Sequence, residues 1–488
     1  MSVELLRGAT VTSYGGVGGL VTGSCHTYES GLNKIIIDCG IFQGRGDLIS
    51  LEEKLTKQEI RNEELFQEIF SGKPSVLITH DHADHISKLP LAFYYGYTPT
   101  IFATEITKRI IEKTLTDSTH SIKNNSENFY YGLDAVKKTI KNIEVVSPLE
   151  EVPLTRDKNL RAVFCPNGHT PGSSSILVKD LLNRKNTLFT GDIGRPEQLL
   201  TGGYRRFASK YPYEPIHAVM VESTCYQGQP ISFDKRINAF RLEINKAIRK
   251  GGNILMPCIK HRHMENVEII RNSQRENRLP KDIEFFRDGP ALDTIFDIYQ
   301  ELIPRYLTKR FGDNPYYYKT DQENQSRFNL SSLNKVKNHI ESLNFASLMA
   351  REPRKAIIFT SGGMGEDGRS CNYLSSYYGN FLRNPKNTVI FSCFQVPGTR
   401  GADLLEERKR PGYNGANVVL LEGGSSHATG EEEIFEFLGR FNLSELETVL
   451  IAHGSNESRK AMEFGFRKRD FEFVDIKLPD IRERVCVA

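Results

Sequence analysis

Short runs of apolar and β-branched residues alternate with amphipathic stretches along most of the chain. Each short run predicts a strand, and these runs are Ile35–Ile37, Val76–Thr79, Leu160–Phe164, Thr187–Thr190, Ala218–Val221, Asn253–Met256, Ala356–Thr360, Thr388–Ser392, Val418–Leu421 and Thr448–Ile451. Helical spacing of apolar residues predicts helices at Asp234–Arg249, Glu431–Arg440 and Asn456–Phe464. Strands that alternate with helices predict a layered α/β fold, in which ligand sites collect at the ends of strands.

The composition is that of a water-soluble globular protein. With 488 residues and 39% hydrophobic residues, the chain is long enough for two to three domains. No apolar run approaches the roughly 20 residues of a membrane helix, so no membrane partner is expected. Residues Met1–Leu20 lack the apolar stretch of a signal peptide, and the eight Cys form no CxxC pair. These features predict a cytoplasmic protein with reduced cysteines.

A dense histidine cluster follows one of the predicted strands. The cluster is His80-Asp81-His82-Ala83-Asp84-His85. Imidazole and carboxylate ligands favour a hydrolytic metal site over a structural thiolate site. His80 and His82 can face one ion, while Asp84 and His85 can face a second ion about 3.5–4 Å from the first. Asp81 is placed to orient a ligand or the bound water.

Two later turns offer further ligands for the same site. His169 lies in the Gly/Pro-rich turn Asn167–Ser173, directly after a predicted strand. Asp192 lies in Thr190–Gly194, just past another strand, where its carboxylate can bridge two metal ions with one oxygen to each. Taken alone, each turn has the composition of an ordinary turn. Beside the histidine cluster, His169 and Asp192 become candidate ligands.

Together these motifs resemble the metallo-β-lactamase fold superfamily in its two-zinc form. The resemblance implies an αββα sandwich and two zinc ions per chain. It assigns His80, His82 and His169 to one ion, and Asp84 and His85 to the other. Asp192 would bridge the ions, and His453 would complete the second ion's ligands. Asp38, at the end of an early strand, matches the superfamily's early Asp and is expected to steer a ligand histidine.

The rest of the chain resembles the β-CASP nucleases. Val221–Thr224, Ser425–Ala428 and Ile451–Gly454 resemble the three motifs named A, B and C in that family. Ser361–Met364 and Phe394–Thr399 resemble two conserved stretches of its cap domain. The resemblance implies a β-CASP α/β cap domain inserted into the metallo-β-lactamase fold. The expected parts are a metallo-β-lactamase N-terminal part (1–231), a β-CASP domain (232–385) and a metallo-β-lactamase C-terminal part (386–488).

The chain departs from the family pattern at two positions. Thr429 stands where motif B often has Asp, and the cap helix reads His261–Asn266 where a Gly-Arg-x-Gln-Glu sequence is usual. The overall length resembles compact members of the branch related to the mRNA 3′-end-processing endonuclease.

The resemblance implies a zinc-dependent ribonuclease that hydrolyses the phosphodiester bonds of single-stranded RNA with a metal-bound hydroxide. His427 would orient the scissile phosphate or protonate the leaving oxygen, with support from Glu222, and Asp81 and Asp38 would assist the site. The expected substrate-binding residues are Ser425, Ser426, Arg262, Ser361, Gly398 and Thr399.

Three alternatives remain at this stage. A DNA nuclease of the same fold is one, although His at motif C, here His453, is typical of the RNA-cleaving members. A catalytically silent scaffold subunit is another, although every ligand position is filled. A small-molecule metallohydrolase is the third, and the long insert between Glu222 and His427 argues against it. Endonuclease or exonuclease action stays open, as does a homodimer.

The net charge of +3 gives little guidance on a nucleic-acid partner. Nucleic-acid-binding domains are often strongly basic, so near-neutrality first argues against one. Two Zn²⁺ ions would bring four positive charges to the site, and Asp84 and Asp192 would bring two negative charges. The site would then carry a net charge of about +2, which a count of charged residues omits. Binding is therefore expected to be local to the cleft and the cap.

Overall fold

The computed structural model describes residues 8–42, 62–122, 131–207, 209, 211–258, 260–308, 333–366, 368–375, 380–393, 395, 398–421, 425–469 and 471–487. The chain divides into two compact units. The first combines the chain up to Pro230 with the chain from Ser426 onward, and the second is the continuous segment Ile231–Ser425.

Strands and helices alternate through both units. The strands are β1 (Ala9–Gly15), β2 (Cys25–Ser30), β3 (Asn33–Ile37), β4 (Ser75–Leu77), β5 (Ile101–Thr104), β6 (Ile143–Val146), β7 (Glu151–Pro153), β8 (Leu160–Pro166), β9 (Ser174–Asp180), β10 (Lys185–Phe189), β11 (Ala218–Glu222), β12 (Ile254–Pro257), β13 (Glu284–Asp288), β14 (Asn334–Val336), β15 (Ala356–Thr360), β16 (Thr388–Phe391), β17 (Asn417–Leu420), β18 (Thr448–Ala452), β19 (Asp475–Lys477) and β20 (Arg484–Cys486). The α-helices are α1 (Glu63–Phe70), α2 (Ala83–Ile86), α3 (Leu89–Tyr94), α4 (Glu105–Ile122), α5 (Leu133–Lys141), α6 (Phe233–Lys250), α7 (Lys260–Arg275), α8 (Pro290–Thr308), α9 (His339–Arg351), α10 (Ser370–Leu374), α11 (Arg400–Glu407), α12 (Gly430–Leu438) and α13 (Asn456–Arg467). Among the described residues, no helix is both long and apolar enough to cross a membrane.

The first unit is built on two seven-stranded sheets. One has the order β20-β1-β2-β3-β4-β5-β6, and the other has the order β19-β18-β11-β10-β9-β8-β7. Each sheet has an antiparallel half and a parallel half, with the change at β3 in one sheet and at β10 in the other. β20 pairs with β1 and β18 pairs with β11, so strands from both ends of the chain complete the two sheets.

Alternation of side chains along the strands explains the layers. Ile35 and Ile37 of β3 pack in a core that also contains Phe164 and Ile176 of the other sheet. Ile36 points the opposite way, into a second core formed with α1 to α5. Because both faces of β3 are covered at Ile35–Ile37, this part of the strand is continuously apolar instead of alternating. On the other sheet, α13 contacts β18, which gives the layer order α/β/β/α.

The second unit contains a six-stranded, all-parallel sheet with the order β14-β13-β15-β12-β16-β17. Its strands are short apolar runs covered by helices, as a parallel sheet requires. The boundary predicted after residue 385 differs from the observed division. Thr388 of β16 pairs with Ile254 and with Asn417 of β17, so the chain stays in this sheet until Ser425. The division after Pro230 lies next to the other predicted boundary.

Candidate metal centre

Turns at the ends of strands bring the polar motifs of the first unit together. Asp38 follows β3, the histidine cluster follows β4, His169 follows β8, Asp192 follows β10, and His453 follows β18. Glycine is required where two of these turns meet. A Cβ on Gly40 would lie 1.6 Å from the carbonyl oxygen of Asp84, so the turn after β3 can approach the cluster only without a side chain.

Four of the predicted ligands form one group in which the donor atoms lie within 4.8 Å of one another: His80, His82, His169 and Asp192. Oδ2 of Asp192 is 3.5 Å from Nε2 of His80 and 3.5 Å from Nε2 of His169. The rings of His80 and His82 meet edge to face, with centroids 4.6 Å apart. The side chains are buried or nearly so, and the group presents three imidazoles and one carboxylate.

The remaining predicted ligands form a second group: Asp84, His85 and His453. Nε2 of His85 and Nε2 of His453 are 3.2 Å apart, and Nε2 of His453 is 3.6 Å from Oδ2 of Asp84. Oδ1 of Asp192 lies 3.5 Å from Nε2 of His85. One oxygen of Asp192 therefore faces each group.

Electrostatics within the two groups favour a carboxylate charge at the centre. Burial would raise the pKa of Asp192, but His453, His85 and His80 outweigh it and hold that pKa well below its ordinary value. Burial would also lower the pKa of His85, yet the carboxylates of Asp192 and Asp38 raise it well above the usual value. The centre is thus arranged to hold positive charge at imidazole nitrogens beside an ionised Asp192.

Asp38 fixes the orientation of two of the predicted ligand histidines from outside the two groups. Its Oδ2 accepts hydrogen bonds from Nδ1 of His85 (2.8 Å) and from Oγ1 of Thr79 (2.7 Å), while Oδ1 accepts from the Thr79 N–H (2.8 Å). Since the Thr79 hydroxyl proton is directed to Asp38, its oxygen accepts from Nδ1 of His80 at 3.1 Å. Both histidines therefore carry a proton on Nδ1 and turn Nε2 toward the centre.

His453 is held in an unusual backbone conformation. Its φ angle is +48°, in the left-handed region, and its N–H donates to the carbonyl of Gly16 at 2.7 Å. Oγ1 of Thr224 lies 2.8 Å from Nδ1 of His453 and donates to its carbonyl oxygen at 2.8 Å. The Thr of motif A therefore orients the His of motif C.

Glu222 and His427 form a pair beside the first group. Nδ1 of His427 is 3.0 Å from Oε1 of Glu222, and Nε2 is 3.7 Å from Oδ2 of Asp192. The buried Glu222 carboxylate also accepts from the N–H groups of Ile193 (2.7 Å) and Thr224 (3.0 Å). Burial would lower the pKa of His427, but Glu222 and Asp192 outweigh it and raise the pKa to about 10. Nε2 of His427 is thus a proton donor that faces the centre.

The donor set fits a divalent metal ion. Among the described residues, Nε2 of His80 and Oδ1 of Asp192 are buried without a hydrogen-bond partner, which costs free energy unless a cation satisfies them. The two facing nitrogens of His85 and His453 likewise suit a shared cation better than two protons. Imidazole and carboxylate ligands suit zinc and neighbouring transition metals. The fold and these residues together imply a divalent-metal centre.

The other predicted site residues lie in several places. Asp81 is buried and accepts a hydrogen bond from Oγ1 of Thr170 (3.3 Å), which fastens the histidine cluster to the turn that carries His169. Ser426 is buried beside His427, and Ser425 is half-buried.

The remaining substrate-binding candidates lie in the second unit. Arg262 is buried and pairs with Glu265. Oγ of Ser361 accepts from the N–H of Arg369 (3.2 Å), and Thr399 caps α11 by accepting from the Ala402 N–H. Gly398 is exposed, but Phe394, Val396 and Pro397 of the same motif lie outside the described residues.

Several side chains at the centre are absent from the sequence-based prediction. Thr79 and Thr224 orient predicted ligand histidines, as described above. The Asn167 side chain donates to the carbonyls of Thr190 (3.0 Å) and Asp192 (2.9 Å) and so joins two ligand turns. Thr224 and Asn167 lie within motifs described above and Thr79 lies next to one, and this position in the sequence is the signal that could have identified them.

His26, a further histidine beside the centre, is buried and lines a small cavity together with Asp38 and His85. Its Nδ1 lies 2.8 Å from Oγ of Ser13. Burial, with a smaller effect of His85, lowers its pKa to about 3, so His26 is neutral.

Comparison with known proteins finds one matching domain model and relatives that are similar over most of the chain. Residues 267–404 match the family model described as the Beta-Casp domain. The chain is 25% identical over 455 residues to "Ribonuclease TTHA0252" of Thermus thermophilus, covering 91% of this chain and 92% of that protein. It is 25% identical over 458 residues to "Probable RNase MJ4" of Methanocaldococcus jannaschii, covering 91% and 94%.

Similarity of fold extends over nearly the whole chain. A crystal structure of a protein of unknown function from Enterococcus faecalis matches with a TM-score of 0.58 at 13% identity, covering 98% of this chain and all of that one. The layers of the first unit, the parallel sheet of the second and the family match agree with the resemblance found in the motifs. Residues 267–404 thus correspond to a Beta-Casp domain, and the chain has an α/β fold of the metallo-β-lactamase/β-CASP type.

Proposed function

We propose that this protein is a two-zinc ribonuclease that hydrolyses the phosphodiester bonds of single-stranded RNA. The observation that carries the proposal is the position of Asp192. Its two oxygens face two groups of metal-ligand type, and the His427–Glu222 pair lies directly beside it. The names of the two relatives above support RNA as the substrate.

The proposed ligands divide as the two groups do. One ion would be held by His80, His82 and His169, and the other by Asp84, His85 and His453. Asp192 would bind both ions. When bound, such a pair lowers the pKa of water towards about 7 and neutralises charge on the phosphate. Zinc is proposed because imidazole nitrogens outnumber carboxylates at the centre.

His427 is proposed as the general acid. During hydrolysis a water-derived oxygen forms a bond to phosphorus, and the bond from phosphorus to the leaving oxygen breaks. That oxygen takes the proton from Nε2 of His427, while Nδ1 stays bonded to Glu222. Glu222 is itself fixed by two backbone N–H groups, so it holds the ring in one orientation. General acid catalysis of this kind is typically worth about 10²–10⁴-fold.

Replacement of Asp38 by Asn is expected to weaken metal binding by about 10- to 100-fold. The new amide would place N–H donors against Nδ1 of His85, which then gives up its proton there and takes one on Nε2. That tautomer cannot bind metal through Nε2. Affinity is measured by competition with a chromophoric chelator.

Asp180→Asn is the matched control for this change. Asp180 is also a buried carboxylate of the first unit, and it accepts from the Tyr28 hydroxyl away from the centre. An affinity that falls equally in both variants would mean that Asp38 acts through general stability alone.

The proposed function is tested with 5′-labelled RNA and DNA of one sequence and the zinc-loaded protein. Cleavage of the RNA, with the DNA and an RNA duplex cut much more slowly, is the expected result. The product ladder also distinguishes endonuclease from 5′-exonuclease action. Preferred cleavage of DNA would identify the DNA nuclease alternative. No cleavage by protein that holds two ions would favour a silent scaffold subunit.

A further inference from the structure

One buried glutamine connects two turns of the proposed active site. The side-chain amide nitrogen of Gln198 donates to the carbonyl oxygen of Gly168 at 3.0 Å and to that of Ser426 at 2.8 Å. Gly168 directly precedes His169, and Ser426 directly precedes His427. The side chain of Gln198 is 2% exposed, so water does not compete for these bonds.

The NH₂ group of Gln198 donates one proton to each of two different turns. A primary amide has two N–H donors on a single planar nitrogen, so the distance between the two carbonyls is fixed by one side chain. The rings of His169 and His427 follow these carbonyls and lie with centroids 4.5 Å apart. The separation of a proposed metal ligand from the proposed proton donor thus depends on Gln198.

We propose that Gln198 is a positioning residue for the proton donor of this enzyme, an inference that rests on the proposed function. Other contacts hold the ligand turn independently. Oγ1 of Thr201 also donates to the carbonyl of Gly168, at 2.8 Å, and Asn167 ties the same turn to that of Asp192. Loss of Gln198 should therefore leave the ligand His169 in place and release the turn of His427.

Two other contacts restrain the turn of His427 at different points. The Ala428 N–H donates to the carbonyl of Ile193 at 2.7 Å, and Glu222 holds Nδ1 of the ring. These contacts lie on the C-terminal side of the turn and at the ring, whereas Gln198 holds the residue before His427. The expected result of its loss is a displaced proton donor on an intact metal centre.

The test compares two diesters that differ in their need for an acid. An RNA dinucleotide has an alkoxide leaving group and needs the proton, whereas thymidine 5′-(p-nitrophenyl phosphate) releases p-nitrophenolate, which leaves without one. For Gln198→Met, kcat on the RNA dinucleotide is expected to fall about 10- to 100-fold. KM, zinc content and kcat on the nitrophenyl ester are expected to stay within about threefold of the original protein, so the ratio of the two kcat values changes.

Thr201→Val is the matched control, because it removes a bond to the same Gly168 carbonyl and leaves Ser426 bonded. The ratio of the two kcat values should not change in this variant. If Gln198→Met does not fold, Gln198→Asn is tested in its place, because it withdraws the amide by one methylene. Equal loss on both substrates in the folded Gln198 variant would overturn the proposal.

His427→Ala separates this inference from the function on which it rests. The alanine variant should show the same dependence on leaving group, with a larger loss on RNA. If His427→Ala discriminates between the two diesters and the Gln198 variants do not, the positioning role of Gln198 is wrong. If His427→Ala itself does not discriminate, the proposed general acid is wrong.

Discussion

Replacement of Asp192 by Asn is expected to abolish RNA cleavage and to reduce bound zinc from about two ions per chain to fewer than one. The two oxygens of Asp192 face the two ligand groups, at 3.5 Å from Nε2 of His80 and 3.5 Å from Nε2 of His85. An amide keeps one oxygen, turns N–H donors to the other group and carries no charge. Two divalent cations among neutral imidazoles would then lack the anion between them.

Metal analysis by mass spectrometry and a single-turnover RNA assay measure this effect. Asp180→Asn again controls for the loss of a buried carboxylate in the same unit. Far-ultraviolet circular dichroism should show both variants folded. Two tightly bound ions and unchanged cleavage in Asp192→Asn would rule out a shared ligand at this position.

Replacement of His427 by Ala is expected to lower kcat on RNA by about 10²–10⁴-fold while zinc content stays the same. His427 contributes a proton donor and lies outside both ligand groups. The Glu222 carboxylate raises the pKa of His427 and so keeps Nε2 protonated. Bound cations oppose that effect, but they do not change the sign of the Glu222 contribution.

Glu222→Gln should therefore lower the pKa of His427. Activity that requires protonated His427 is lost as pH rises through that pKa. The alkaline limb of the kcat–pH profile is thus expected to move to lower pH in Glu222→Gln. An unchanged limb would show that another group sets it.

A second His–Glu pair in the same unit provides the control for both changes. Nε2 of His217 lies 3.2 Å from Oε2 of Glu445, away from the two ligand groups. His217→Ala removes a largely buried histidine from such a pair without touching the centre. Its kcat should match that of the original protein, and a comparable loss would attribute the His427 effect to stability.

Local sequence patterns predicted a large part of the fold and the motifs at the centre. Ile35–Ile37, and Val76 to Ile78, are continuously apolar because parallel strands covered on both faces need no polar side. Strands such as β7 (Glu151–Pro153) and β14 (Asn334–Val336) are short and partly exposed, so their sequences resemble loops. Such strands can be identified only from the strands with which they pair.

Residues that support the centre could not be predicted, because their role is defined by distant backbone. The partners of Gln198 are the carbonyls of Gly168 and Ser426, which no pattern of side chains records. The end of the second unit was misplaced for a related reason. The sequence of Thr388–Phe391 predicts a strand that could belong to either unit. Its pairing with Ile254 and with Asn417 assigns it to the second.

The discontinuous first unit has a consequence for the order of events during synthesis. His427 and His453 follow the whole second unit in the sequence, and β18 pairs with β11 only after that unit has been made. The second unit is continuous and can fold as soon as it emerges from the ribosome. A nascent chain that ends before His453 lacks one of the proposed metal ligands. The nuclease would therefore stay inactive on the ribosome, beside the messenger that encodes it, until the chain has been translated past His453.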